Sequence, residues 1–151
     1  MPQRRFDWHE RIKAVEREYW STRIAVDRLS AQVTHDPGIL GSGPRPRDLE
    51  SADENLEGTY LIRMFAEFET GARSYWRTIR PRARTPVESL LARVGDRCEI
   101  PLDVIQDAQT VREYRNQLVH DRDEQVKAVT IADARHRLAT YFARLPIKWG
   151  V

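Results

Sequence analysis

The residues in this chain whose types and spacing could do chemistry are Arg115, Asn116 and His120, within the run Tyr114-Arg115-Asn116-Gln117-Leu118-Val119-His120-Asp121. Imidazole is the side chain that exchanges protons near neutral pH, so histidine suits general acid or base work. A guanidinium offers a planar, permanently charged fork that matches a phosphate, a geometry that lysine lacks. Arginine and histidine on one segment therefore point towards phosphate chemistry.

Other chemistries lack their residues. The chain has no Gly-x-Gly-x-x-Gly, no phosphate-cradling loop ending in Gly-Lys-Ser or Gly-Lys-Thr, no Gly-x-Ser-x-Gly and no His-Glu-x-x-His. Gly41-Ser42-Gly43 runs into Pro44-Arg45-Pro46, which suits a surface loop. His9, His35, His120 and His136 never reach the one-turn spacing of a helical metal site, so neither a metal nor a cofactor is expected. The single Cys98 forms no internal disulfide and falls short of a zinc ligand set.

Spacing alone does not make a site, because Arg4 and His9 repeat it. The helical wheel separates the two pairs. At about 100° per residue, Arg115 falls amid Val104, Ala108, Val111 and Leu118, inside an apolar stripe where a guanidinium needs a partner or a cavity. Arg4 lies near a chain terminus. A purely structural arginine paired with Glu69 or Glu67, or bridging two chains, would satisfy the same wheel. His120 at a helix end can equally serve only to cap the last carbonyls. Arg115 and His120 lie about 140° apart around an ideal helix, so one straight helix cannot aim both at one phosphate. Asn116 and His120 share a face.

Helices must position these residues. Trp8, Ile12, Val15, Tyr19, Thr22, Val26, Leu29 and Val33 step by three and four, which predicts a long first helix. Pro37, Gly38, Gly41, Gly43, Pro44 and Pro46 break it. A second long helix is expected from near Asp48, capped by Asp48 or Ser51, with the stripe Leu61, Phe65, Phe68, Ala72, Tyr75, Trp76 and Ile79, ending at Arg80-Pro81. Thr85-Pro86-Val87-Glu88 reads as a capping box opening a short helix that Gly95 closes. The fourth runs from about Leu102 to near His120, and the fifth from Thr130, with Asp133 at the capping-box position, to Pro146. No segment alternates with period two, so the expected fold is all-α, an up-and-down bundle of about five helices in one domain spanning 1–151.

Composition sets the outer limits. The 151 residues, 40% hydrophobic, suit one core. No stretch nears the roughly 18 apolar residues of a membrane span, and the first residues lack a signal-peptide core, so the expected location is cytoplasmic with no membrane partner. Of 25 basic residues only Lys13, Lys127 and Lys148 are lysine, which leaves 22 arginines. That bias favours an RNA partner, although genomic base composition produces it too. Among the tryptophans, Trp8, Trp20 and Trp76 are expected in the core or an interface; Trp149, near the end of the sequence, could stack on a base, but that is the less favoured reading.

Arg115, Asn116, three residues and His120, late in an all-helical chain of this length, resemble the Arg-x4-His signature of the HEPN family (higher eukaryotes and prokaryotes nucleotide-binding domain). The run Leu61–Glu69 followed by Arg73 resembles that family's long second helix. The topology is similar over nearly the whole chain, and the specific motif covers six residues. The resemblance implies a homodimer whose two motifs share a composite cleft, and a metal-independent endoribonuclease acting as a toxin or defence effector. The ribose 2′-hydroxyl would attack the adjacent phosphorus, leaving a 2′,3′-cyclic phosphate. His120 would be general base or acid, Arg115 would hold the phosphate, and Asn116 would orient the histidine or the backbone. Glu69, Glu67, Tyr114 and Asp121 are supporting candidates, and Arg112 and Arg73 candidates for RNA contacts. A cognate nucleotidyltransferase-like antitoxin is the partner the family suggests. A HEPN-like module that dimerises or binds nucleotide without catalysis, or a helical adaptor using the stripe of the first helix, would keep the same helices.

Overall fold

A computed structural model describes residues 2–120 and 126–150, and these contain five α-helices. They are α1 (Arg5–His35), α2 (Pro46–Ile79), α3 (Val87–Arg97), α4 (Leu102–Val119) and α5 (Ile131–Phe142), with a 3₁₀ turn over Pro37–Leu40. No strand occurs among the described residues, so the all-α bundle is as the periodicity predicts. No helix among them is long and apolar enough to cross a membrane.

The three-and-four stepping of α1 buries Trp8, Ile12, Val15, Tyr19 and Val33, whereas Trp20 lies off the stripe and is half exposed. The order of contacts shows how α1 meets α2. Arg11 pairs with Glu67, Glu18 with Arg63, Thr22 hydrogen-bonds Tyr60 and Arg23 reaches Asp53, so the two helices run antiparallel. Along α2 and α5 the contacts ascend together: Glu57 accepts the Ile131 amide and Phe68 meets Tyr141, so these two run parallel. Glu69 and Arg115 at one end and Gly58 and Leu118 at the other set α4 against α2. The four long helices therefore alternate in direction. The short α3 runs back along α4, tied before its start by Arg73 to the Thr85 carbonyl (2.7 Å) and past its end by Cys98 to Tyr75. One cluster of buried side chains draws on all five helices, with Phe65, Phe68, Leu90, Leu91, Leu138 and Phe142 fully buried. Each of these large side chains contributes about 1.5–3 kcal/mol relative to exposure.

Helix ends depart from expectation in two places. Helix α2 starts at Pro46 rather than near Asp48. Proline fits the first position because its missing N–H has no partner there anyway, and Asp48, three residues in from the cap, accepts the Arg45 amide at 2.8 Å. Gly95 does not close α3, which continues to Arg97 and uses no side-chain cap at its start. The left-handed residue is Glu99 (φ 53°), and the Ile100 and Glu99 amides reach back to the Gly95 and Asp96 carbonyls in a Schellman motif. Gly95 is there for closeness: a Cβ on it would lie 2.4 Å from Ile105 Cδ1 of α4. By contrast, Thr130 caps α5 through the Asp133 amide as its sequence indicates.

Trp149 belongs to the core rather than to a nucleic-acid surface. It is 5% exposed, packs edge-on against Tyr75 and Phe142, and donates its indole N–H to Ser74 at 3.1 Å. Its backbone N–H bonds to the Gln3 carbonyl, which ties the two ends of the described chain together beside α1.

Candidate functional site

Helix α4 delivers its apolar stripe to the core through Val104, Ala108 and Val111, and the stripe reaches the surface at Arg115. The Arg115 side chain keeps 23% of its exposure. Its guanidinium lies over the Phe65 ring, 5.2 Å from the centroid, with one nitrogen on Asn116 Oδ1 at 2.9 Å and another 3.4 Å from Glu69 Oε2. The wheel's requirement for a partner is thus met from α2, by the carboxylate that borders the α2 stripe.

Glu69 serves two arginines. Its other oxygen accepts from Arg73, Nε at 2.8 Å and a terminal nitrogen at 2.7 Å, one turn along α2. Arg73 in turn holds the Thr85 carbonyl at 2.7 Å. A continuous polar chain therefore runs from the loop before α3, through Arg73, Glu69 and Arg115, to Asn116. Two guanidinium groups face one carboxylate, so the cluster carries a net positive charge. With side chains between 19% and 30% exposed, its ion pairs are worth more than fully solvated ones, and separating them leaves a charge poorly solvated.

His120 ends the segment. Helix α4 stops at Val119, and His120 is its C-cap with extended backbone (φ −116°, ψ 118°), its amide on the Asn116 carbonyl at 2.9 Å. The departure from helix lifts the angular constraint that a straight helix would impose on Arg115 and His120. His120 is exposed, and its ring makes no hydrogen bond or ion pair with a described residue. Leu118 and Val119, just before it, are also exposed at 38% and 47%.

The remaining candidates separate. Glu67 lies on another face of α2 and pairs with Arg11 of α1 at 3.6 Å. Tyr114 lines a depression of about 370 Å³ with Glu54, Asn55, Glu57 and Leu118, and burial followed by the nearby Glu57 carboxylate raises its phenol pKa. Arg112 is engaged at the junction of α3 and α4, donating to Gln109 Oε1 at 2.6 Å and lying within 4 Å of Glu88 and Glu113. Asp121 lies outside the described residues. The structure thus gathers Arg115, Asn116, Glu69 and Arg73, leaves His120 at the edge of the group, and sets Glu67, Tyr114 and Arg112 elsewhere.

The double use of Glu69 was the feature missed in the sequence. Glu69 and Arg73 stand four apart on one helix, a spacing at which acid and base meet, and that alone could have shown that Arg115 would share its partner. Among the described residues no three His, Cys, Asp or Glu side chains gather as a metal ion would need. Comparison of the chain with protein-family models, with characterised proteins and with solved structures found no match.

Proposed function

We propose that the protein is a HEPN-type endoribonuclease that cuts RNA without a metal, working as a cytoplasmic toxin or defence effector. The observation that carries this reading is the end of α4: a positively charged Arg115 cluster, partly exposed, followed within one turn of Asn116 by a histidine on extended backbone whose ring makes no hydrogen bond or ion pair with a described residue. In the proposed step the 2′-oxygen bonds to phosphorus as the bond from phosphorus to the 5′-oxygen breaks. The proton leaving the 2′-hydroxyl is taken by a base, and one is delivered to the 5′-oxygen. His120 supplies one of these transfers, and Arg115 faces the charge that grows on the phosphoryl oxygens. A second copy of the chain, meeting the first at the exposed Leu118 and Val119, would bring a second histidine for the other transfer and form the composite cleft. An antitoxin of nucleotidyltransferase type would then restrain the activity by covering that cleft.

A second reading has its own support. The ion pair between Arg115 and Glu69 is what an arginine with a purely structural role would make, and it suits a HEPN-like module that dimerises or binds nucleotide without cutting. Incubating purified wild type, Arg115→Ala and His120→Ala with labelled total RNA in EDTA separates the two. Cleavage by wild type alone, with cyclic phosphate ends, supports the ribonuclease; intact RNA with all three folded dimers supports the binding module.

A further inference from the structure

The acid-free stretch richest in arginine is 70–87, with Arg73, Arg77, Arg80, Arg82 and Arg84 and no lysine. It comprises the last turns of α2 and the loop to α3. The fold closes it around a cavity of about 430 Å³ lined by Arg73, Trp76, Arg77, Arg84, Thr85 and Pro86. Arginines elsewhere in the protein are mostly matched: Arg23, Arg63, Arg135 and Arg137 each hold a carboxylate. Arg77 and Arg84 are exposed and form no ion pair among the described residues, so two unneutralised guanidinium groups border one concavity.

Two further features of the wall favour an anion. Trp76 is buried, and its indole N–H, uniquely among buried side-chain polar atoms of the described residues, has no acceptor. A buried donor without an acceptor is unfavourable, and Trp76, which carries it, is part of the cavity wall. The start of α3 borders the cavity at Thr85 and Pro86, and no side chain caps its first backbone N–H groups, Glu88 being the acid of that turn.

From this geometry we infer that the cavity between the end of α2 and the start of α3 binds the phosphodiester backbone of single-stranded RNA, with Arg77 and Arg84 as its principal contacts. The inference rests on the proposed RNA substrate. A strand fits better than a lone phosphate, because Arg80 and Arg82 carry the basic surface past the cavity on to an adjoining shallow depression with Ile79, Pro81 and Ala83. Arginine without lysine favours phosphate oxygens through paired N–H donors. Arg73 connects this cavity to the Arg115 cluster through Glu69, so a strand held here passes beside the residues proposed to cut it.

The test uses the full chain with His120→Ala, so that RNA stays whole, and a fluorescein-labelled 20-nucleotide RNA of mixed sequence read by anisotropy across a salt series. Arg77→Ala/Arg84→Ala is compared with Arg28→Ala/Arg47→Ala, which removes the same charge from exposed positions elsewhere. The inference expects the first pair to weaken binding by about tenfold or more and to flatten the salt slope by about 1.4, from two lost single-strand contacts, with the second pair close to the parent. Circular dichroism confirms that each variant keeps its helix content. If both pairs weaken binding equally, the cavity is not a site, although RNA binding stands. If the parent fails to bind RNA but binds inorganic polyphosphate or vesicles containing phosphatidylserine, both the inference and the RNA reading fall.

Discussion

Arginine followed five residues later by histidine occurs twice in this protein, and the two pairs are placed in opposite ways. At the start of α1, Arg4 is the exposed N-cap, its backbone bridged to Lys148, while His9 sits inside the helix with its ring edge-on to Phe142 at 5.8 Å. At the end of α4, the arginine is the inner residue, held by Phe65, Glu69 and Asn116, and the histidine is the outer one. Burial pulls the His9 pKa below its ordinary value, with Lys13 and Arg5 acting in the same direction, so its ring is kept neutral and resists taking a proton. Spacing fixes neither environment. What distinguishes the pairs is whether the helix begins or ends between the two residues.

The largest expected effect comes from Arg115. Arg115→Lys keeps the charge but loses the fork that spans Asn116 and Glu69, and cleavage of labelled RNA should fall by about a hundredfold, against no change for Arg4→Lys. Next is Gly71→Ala, aimed at the surroundings of the first pair. The new methyl would lie 2.8–2.9 Å from Phe142 and Trp8, and thermal unfolding should show a loss of about 2 kcal/mol. Glu69→Gln leaves two arginines with a neutral partner and should cost about 1–2 kcal/mol in urea titration, because these side chains are only partly shielded from water.

A smaller effect concerns pH. A histidine whose folded pKa lies below its unfolded value near 6.5 contributes its full stability above that pH and loses it as pH falls through the lowered value. Melting temperatures of wild type should therefore drop on acidification below about pH 6.5 more steeply than those of His9→Gln. Equal slopes would mean that His9 is not shielded as its contact with Phe142 indicates. The smallest effect is Arg4→Ala, within about 0.5 kcal/mol of wild type by the same melts.

The helices were legible because their apolar residues recur every three or four positions over long runs. The stripe Leu61, Phe65, Phe68, Ala72, Tyr75 and Trp76 is buried as written, with Ile79 at its end only partly so, and Thr130 caps α5 as written. Chain reversals were read less well. Gly95 has the composition of a terminator, but its lack of a side chain serves contact with Ile105, and Glu99 takes the left-handed turn instead. Base stacking by Trp149 was the less favoured reading of the sequence, but its partners Tyr75, Phe142 and Ser74 come together only in the fold. Within the site, Glu69 was readable as the partner of Arg115 from the edge it occupies on α2. The link onward to Arg73 and Thr85 joins three elements, and the last step requires the loop before α3 to fold back on α2.

The central claim is that the pair on α4, and not the pair on α1, does chemistry. Initial rates of cleavage of one end-labelled RNA in EDTA by wild type, His120→Ala and His9→Gln, each with unchanged helix content, test it most directly. The account expects His120→Ala to lose about a hundredfold or more, with 2′,3′-cyclic phosphate ends from the other two at comparable rates. Undiminished cleavage by His120→Ala would contradict it.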